Sequence, residues 1–286
     1  MFKLGVILAG GEGSRLHPLT YVINKHLLPV YNKPMIYYPI STLLMLGCNK
    51  IIILTNSYDE FPMNKIHQKL MSLNINSCVK FQGLKKGIPS ALLDAISDEK
   101  FDELYTILGD NIFFGNNFIN DVLKTRVNNL ILTKKVKNPS SFGVLKNQNN
   151  IIEIVEKPKN FVSNNAVTGF YKFSKDIKNY LKKANTSLRG ETEIADVINN
   201  IATKDKHSIK QIELNRATLW FDAGSFENLT STNNLVYQIV KRQGQDFGCI
   251  EESALESNYI DKITLKKLIK KYPKNDYSDY VQNLIG

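Results

Sequence analysis

Leu4-Gly5-Val6-Ile7-Leu8-Ala9-Gly10-Gly11-Glu12-Gly13-Ser14-Arg15-Leu16 is the stretch on which the fold turns. A continuous apolar run, residues 4–8, ends abruptly in glycines. A short run without polar alternation is what a strand covered on both faces requires. Similar runs return at residues 51–55 and 104–108, the last ending at Gly109-Asp110-Asn111. Between them, residues 35–46, 63–73 and 89–96 carry helical patterning, and 79–81 is short and extended. Such alternation predicts an α/β fold, a mainly parallel sheet with helices on both faces. Ligands of these sheets bind beyond the carboxyl ends of the strands. The glycines after Leu8 and Asp110 after Leu108 fall at such ends.

From residue 129 to 173 the character changes. Residues 130–136, 142–145, 151–155 and 166–173 read as strands with few helices between them, a β-rich insertion that extends or lids the sheet. Helical patterns return at 193–202 and 225–240, and 241–286 reads as a small helical appendage to the domain formed by residues 1–240. A chain of 286 residues buries a substantial core. Its 43% hydrophobic and 22% charged residues are ordinary for a soluble globular protein. Cys48, Cys78 and Cys249 have neither metal-ligand spacing nor the pattern of a disulfide framework, which predicts a reducing, cytoplasmic setting. The apolar run at the N-terminus is too short to span a membrane and no signal-peptide pattern follows it.

The formal charge of +10 suits anionic ligands. The lysines are scattered, however. Their densest cluster, Lys266, Lys267, Lys270 and Lys271, alternates with Ile263, Leu265, Leu268 and Ile269, as on a helix with one apolar stripe and one wet face. Neither nucleic acid nor a membrane is inferred as a partner.

Glycines after a strand let backbone N–H groups approach a phosphate chain without Cβ interference. Arg15 adds a cation with forked donors suited to phosphate oxygens. A dinucleotide fingerprint needs glycine where Leu16 stands, and a P-loop needs a Gly-Lys-Ser/Thr ending that is absent. The segment continues through Asn24-Lys25-His26-Leu27-Leu28-Pro29, so a fold-back brings Lys25 and Arg15 to one phosphate cluster.

Taken together, LAGGEGSRLHPLT, NKHLLPVYNKPMIYYPISTL, LGDNIFFG, FGVL, EKP, NNAVTGFY, RGETEI and WFDAG resemble, in order and at near-family spacing, the glucose-1-phosphate thymidylyltransferases. The resemblance covers most of the first 240 residues and implies a Rossmann-like sheet whose β-rich insertion forms a sugar pocket. It implies transfer of a nucleotidyl group from a nucleoside triphosphate, dTTP, to a sugar 1-phosphate, glucose 1-phosphate, with release of pyrophosphate and with Mg²⁺ as cofactor. It also implies a homo-oligomer. Asp110 and Asp222 match the carboxylates that hold Mg²⁺ in the family, and Arg15, Lys25 and Lys157 its catalytic cations. Gly10, Gly11, Gly13, Gln82 and Gly87 match nucleotide-binding positions, Gln82 and Gly87 reading the base. Gly143, Glu156, Val167 and Glu191 match positions around the sugar. The residue chemistry agrees. A carboxylate, acceptor-only, suits a polyol, and an ammonium suits a phosphate. The phosphate of the acceptor, carrying about −1.5 to −2 charges near pH 7, is already a nucleophile and needs no general base. The protein must bring two anions together in line and spread the developing charge.

This chain departs from the family pattern at several places. His26 stands where glutamine is usual, and its charge is expected to follow pH. Gly87-Ile88-Pro89-Ser90-Ala91 replaces Gly-Leu-Ala-Gln-Ala, and Leu70-Met71-Ser72-Leu73 replaces a Gly-Asp-Gly-Ser segment. Leu255, Glu256 and Tyr259 stand where the family has residues around a secondary regulatory nucleotide site, and an acidic Glu256 in place of a cation there would repel a diphosphate. Other readings stay open: transfer from UTP or CTP, another phosphorylated acceptor, or a non-catalytic sugar-nucleotide-binding subunit. A nicotinamide-dependent oxidoreductase shares the α/β alternation but lacks the glycine fingerprint.

Overall fold

The structure is a computed structural model that describes residues 1–84, 87–115, 117–148, 151–187, 190–205 and 208–286. Arg189 of the RGETEI motif lies outside the described residues. β1 (Lys3–Leu8) feeds the glycine loop, and a hairpin of β2 (Pro29–Val30) and β3 (Lys33–Pro34) precedes α1 (Tyr37–Met45). There follow β4 (Lys50–Thr55), α2 (Glu60–Ser72), β5 (Ser77–Phe81), α3 (Ile88–Ile96) and β6 (Glu103–Leu108). These strands form the predicted parallel sheet, in the order β6-β1-β4-β5.

Side-chain parity along β1 explains why its run has no polar residues. Ile7 packs with Ile40, Leu44 and Ile53 under α1, whereas Leu4, Val6 and Leu8 pack with Leu92 and Ile96 of α3 on the opposite face. Both faces are covered, so both parities must be apolar. The helix expected over 63–73 begins three residues earlier. Its first turn contains Pro62, which is tolerated there because first-turn N–H groups lack intrahelical partners. The apolar periodicity starts only at Met63.

After β7 (Asn111–Phe114) and α4 (Asn117–Lys124) come β8 (Asn129–Lys135), β9 (Gly143–Gln148), β10 (Ile151–Glu156) and β11 (Asn165–Ser174). The insertion extends the sheet: β11 runs antiparallel to β6, with Phe170 opposite Ile107, and pairs with β8 and β9 in turn. α5 (Ile177–Leu181), α6 (Ile194–Lys204), β12 (Ile209–Glu213), β13 (Leu219–Asp222) and α7 (Phe226–Gln243) complete the part before the tail. β12 adds to β8 in parallel, and β13 pairs with β7 as a separate ribbon.

The tail forms α8 (Ile250–Glu256), α9 (Lys262–Ile269) and α10 (Asp276–Asn283). It is more deeply integrated than an appendage. Ile250, Ala254, Leu265, Ile269 and Val281 belong to the same core as Ile40 and Ile53. The fully buried Glu251 carboxylate accepts from Tyr272 Oη at 2.8 Å and Tyr277 Oη at 2.5 Å and pairs with Lys69 of α2 at 2.6 Å. The apolar stripe read from the sequence is therefore largely turned inward, only Ile263 standing exposed. Among the described residues no helix is long and apolar enough to cross a membrane.

Candidate functional site

The carboxyl ends of β6, β1, β4 and β5 are tied together just beyond the sheet. Gly109 N donates to Leu8 O at 3.0 Å, Ala9 N to Leu54 O at 2.7 Å and Gln82 N to Thr55 O at 2.8 Å. The glycine loop leaves β1 against this edge. A Cβ on Gly10 would stand 2.4 Å from Gln82 Oε1, so any larger residue there would displace the Gln82 amide. Gly13 adopts φ +66°, and the next three residues, Ser14–Leu16, make a single 3-10 turn. Leu16 is buried and pins that turn, leaving Arg15 projecting.

Asn24 sets the next turn. Its Nδ2 donates to Ala9 O at 3.0 Å and Asp59 Oδ2 at 2.8 Å, and its Oδ1 accepts from His26 N at 2.9 Å. This caps the 3-10 turn Lys25–Leu27 and directs Lys25 Nζ to within 2.5 Å of Asp110 Oδ2. With its amide so engaged, Asn24 Oδ1 is the acceptor for His26 Nδ1–H at 2.7 Å. Burial, then the charge of Lys25, lowers the His26 pKa to about 3. The expected pH-dependent charge at His26 is thus corrected: the ring is neutral at pH 7, because a dry position beside an ammonium cannot hold a second cation. The ring also packs on Gly109, where a Cβ would meet Cδ2 at 2.5 Å.

The two carboxylates meet because of a ribbon that sequence periodicity did not reveal. β7 and β13 pair antiparallel with Asn111 opposite Asp222, and Ala223 N donates to Asp110 O at 2.9 Å. Gly224 marks the convergence. The position its Cβ would take lies 2.7 Å from Arg15 Nη2, 2.8 Å from Asp222 Oδ1 and 3.2 Å from Asp110 Oδ2. Burial and then the charge of Asp110 push the Asp222 carboxyl up, with Arg15 opposing. Burial also pushes Asp110 up, but Lys25 and the hydrogen bond from Asn111 Nδ2 outweigh it and hold that carboxyl well below the usual range. Among the described residues no group of three or more His, Cys, Asp or Glu side chains could hold a metal. Two converging carboxylates, one of them under electrostatic stress, fit a hard divalent cation that takes its remaining oxygens from phosphates.

Two further residues build the site that sequence reasoning did not single out. Asn111 Oδ1 accepts from Trp220 Nε1 at 2.6 Å and Gly169 N at 3.0 Å while its amide holds Asp110. The only signals in the sequence were their places inside LGDN and WFDAG.

Two cavities join at this centre. The larger, about 730 Å³, is lined by Gly10, Gly11, Gly13, Lys25, Gln82, Gly87 and Glu191. The smaller, about 200 Å³, is lined by Arg15, Gly143, Val167, Trp220 and Asp222. Asp110, Glu156, Lys157 and Glu193 face both. Arg15 therefore sits on the wall of the smaller cavity and Glu191 on that of the larger. Lys157 reaches the junction through backbone at φ +44°, a left-handed conformation uncommon outside glycine, stabilised by its N–H donating to Phe142 O at 3.0 Å. Glu156 stands beside Gly143, its Oε2 3.0 Å from where a Cβ would be. Gly87, at φ +109°, closes the far wall; a Cβ there would fall 2.1 Å from Thr192 O.

Comparison with known proteins agrees with this architecture. Residues 4–238 match the family model described as Nucleotidyl transferase. A glucose-1-phosphate thymidylyltransferase of Neisseria meningitidis serogroup A is 33% identical, the match covering 98% of this chain and 99% of the relative. One of Mycolicibacterium smegmatis is also 33% identical, over 98% of each chain. A crystal structure from Bacillus anthracis, described as a glucose-1-phosphate thymidylyltransferase in complex with a sucrose, superposes with a TM-score of 0.71 at 36% identity. That match covers 82% of this chain and 94% of the other. A UDP-glucose pyrophosphorylase with UDP-glucose, 22% identical over 84% of this chain and 100% of its own, shares the fold with a TM-score of 0.71.

Proposed function

Given that the chain belongs to the nucleotidyl transferase family, we propose that it joins dTTP to glucose 1-phosphate, forming dTDP-glucose and pyrophosphate. The observation that carries this is the meeting of Asp110, Asp222 and Arg15 beside Gly224, with Asp110 facing both cavities. A reaction between two anions requires separate chambers for the partners and positive charge between them, which Arg15, Lys25, Lys157 and a divalent cation held by the two carboxylates would supply.

The larger cavity takes the triphosphate. The N–H groups of Gly10, Gly11 and Gly13 approach its phosphates, and Gln82 and Gly87 meet the base. The smaller cavity takes the sugar. Glu156 accepts hydroxyl protons, Gly143 and Val167 offer backbone, and Glu191 contributes from the larger side. Lys157 holds the phosphate of the acceptor at the junction, which orients its oxygen toward the α-phosphorus. Asp110 and Asp222 would hold Mg²⁺, which when bound supplies charge neutralisation at the phosphates. Lys25, now paired with Asp110, is within reach of the same phosphates, and Arg15 faces the reacting centre from the sugar side. The reduced Cys48, Cys78 and Cys249 suit the cytoplasm, and we assign the working form to a homo-oligomer.

The test is pyrophosphate release with dTTP, UTP and CTP against a panel of sugar 1-phosphates. The highest kcat/KM is expected for dTTP with glucose 1-phosphate. A preference for UTP or CTP would move the assignment within the family, and no release with any pair would refute it.

A further inference from the structure

The carboxyl ends of the parallel strands map onto the parts of a nucleotide. β6 ends at Asp110, where the reaction is centred, and β1, next to it, ends in the glycine loop. β4 and β5 end at Asn56–Tyr58 and at Gln82, both on the wall of the larger cavity. Strands lie roughly 5 Å apart, so the end of β4 is about 10 Å from that of β6. A triphosphate whose α-phosphorus is at Asp110 therefore extends its base over the ends of β4 and β5.

Tyr58 stands at that place. It lines the larger cavity while 73% of its surface is exposed, so the ring is open to a ligand in that cavity. Its position is nonetheless well determined. It is the middle residue of the single 3-10 turn Ser57–Asp59. The following Asp59 is buried and accepts from Asn24 Nδ2 at 2.8 Å, the side chain that also caps the turn carrying Lys25. The preceding Asn56 donates from Nδ2 to Tyr58 Oη at 2.7 Å. The ring is thus held beside the base chamber, with the Asn24 side chain as an anchor shared with the turn of Lys25.

We propose that Tyr58 is a base-binding residue, its ring stacking on the face of the nucleobase while Gln82 meets the edge. The proposal rests on the nucleotidyltransferase reading of the cleft. Stacking is tolerant of base identity, so Tyr58 supplies affinity for nucleoside triphosphates as a class.

The experiment compares Tyr58→Ala and Tyr58→Phe with the unmodified protein, by equilibrium binding of dTTP and by steady-state kinetics, with inorganic tripolyphosphate as a competitor that has no base. Tyr58→Ala is expected to weaken dTTP binding and raise its KM roughly fivefold to a hundredfold, the range of a lost base–aromatic stack. The loss falls on KM rather than kcat. Tyr58→Phe, which keeps the ring, restores most of the affinity, and inhibition by tripolyphosphate is equal in all three proteins. A Tyr58→Ala protein that binds dTTP within twofold of the unmodified chain overturns the proposal, as does an equal loss of tripolyphosphate affinity, which would mark general damage to the cleft. Binding of dTTP without turnover of any sugar phosphate would instead refute the catalytic reading and leave the stacking result readable.

Discussion

Uncharging Asp222 is expected to stabilise the metal-free protein while disabling it. Oxygens of Asp222 and Asp110 flank one point beside Gly224 at 2.8 and 3.2 Å. Their separation is thereby at most about 6 Å, and at an effective dielectric of about 20 two like charges so placed repel by roughly 3 kcal/mol. Lys25 and Arg15 offset much of this, so the net gain from Asp222→Asn is about 1 kcal/mol, typical of neutralising a strained functional site. The sign follows from the direction of the shift. Burial and Asp110 raise the Asp222 carboxyl; a raised carboxyl contributes stability below its unfolded value and has lost it once the pH rises through the folded one. Asparagine keeps the acceptor for Gly224 N, now at 3.0 Å from Oδ1. Calorimetry with a chelator should therefore show Asp222→Asn melting about 2–4 °C above the unmodified protein. Pyrophosphate release should fall at least about a hundredfold. Mg²⁺ with dTTP should raise the melting temperature of the unmodified protein much more than that of the variant. A variant that melts lower without metal and turns over at the original rate would refute the pairing of the two carboxylates.

Arg15→Ala should lower kcat by at least about 10²–10³, as loss of one electrostatic contact at a reacting centre does; initial rates at saturating substrates decide, and near-normal turnover removes Arg15 from the mechanism. Asp246→Ala strands the buried ammonium of Lys33, 2.6 Å from its present partner, and should cost about 3–5 kcal/mol in a urea titration, whereas a loss under about 1 kcal/mol would show that solvent reaches Lys33. Burial, followed by the charges of Glu256 and Asp246, pushes Glu252 up to about 7 against the Tyr280 hydroxyl. Its stabilising contribution is complete below the ordinary glutamate value and disappears as the pH rises through about 7, a loss of about 1 kcal/mol after solvent screening. Glu252→Gln should flatten that part of the melting-temperature profile, and an unchanged slope would assign it to another group.

Periodicity and composition were enough to read the parallel sheet, because residues 4–8, 51–55 and 104–108 must be apolar at both parities when helices cover both faces. The glycine loop is legible for a similar reason: glycines are needed where the chain turns left-handed, as at Gly13 with φ +66°, and where it lies close to another side chain, as Gly10 does to Gln82. Local chemistry of this kind leaves a mark on consecutive residues. The ribbon of β7 and β13 leaves almost none. It is four residues on each side and too short for a periodic signal, yet it alone brings Asp222 and Trp220 to Asp110 and Asn111. The neutrality of His26 likewise depends on what surrounds it, since burial and the neighbouring ammonium are properties of the folded chain. The tail reads as an appendage because its stripe is amphipathic in isolation; in the fold Leu265 and Ile269 join the same core as residues of α1 and α2. Local patterns in the sequence were enough for the strands of the parallel sheet and for the loop that can approach a phosphate. Tertiary structure decided which charges face one another, because Coulomb energies depend on distances between segments that no local pattern encodes.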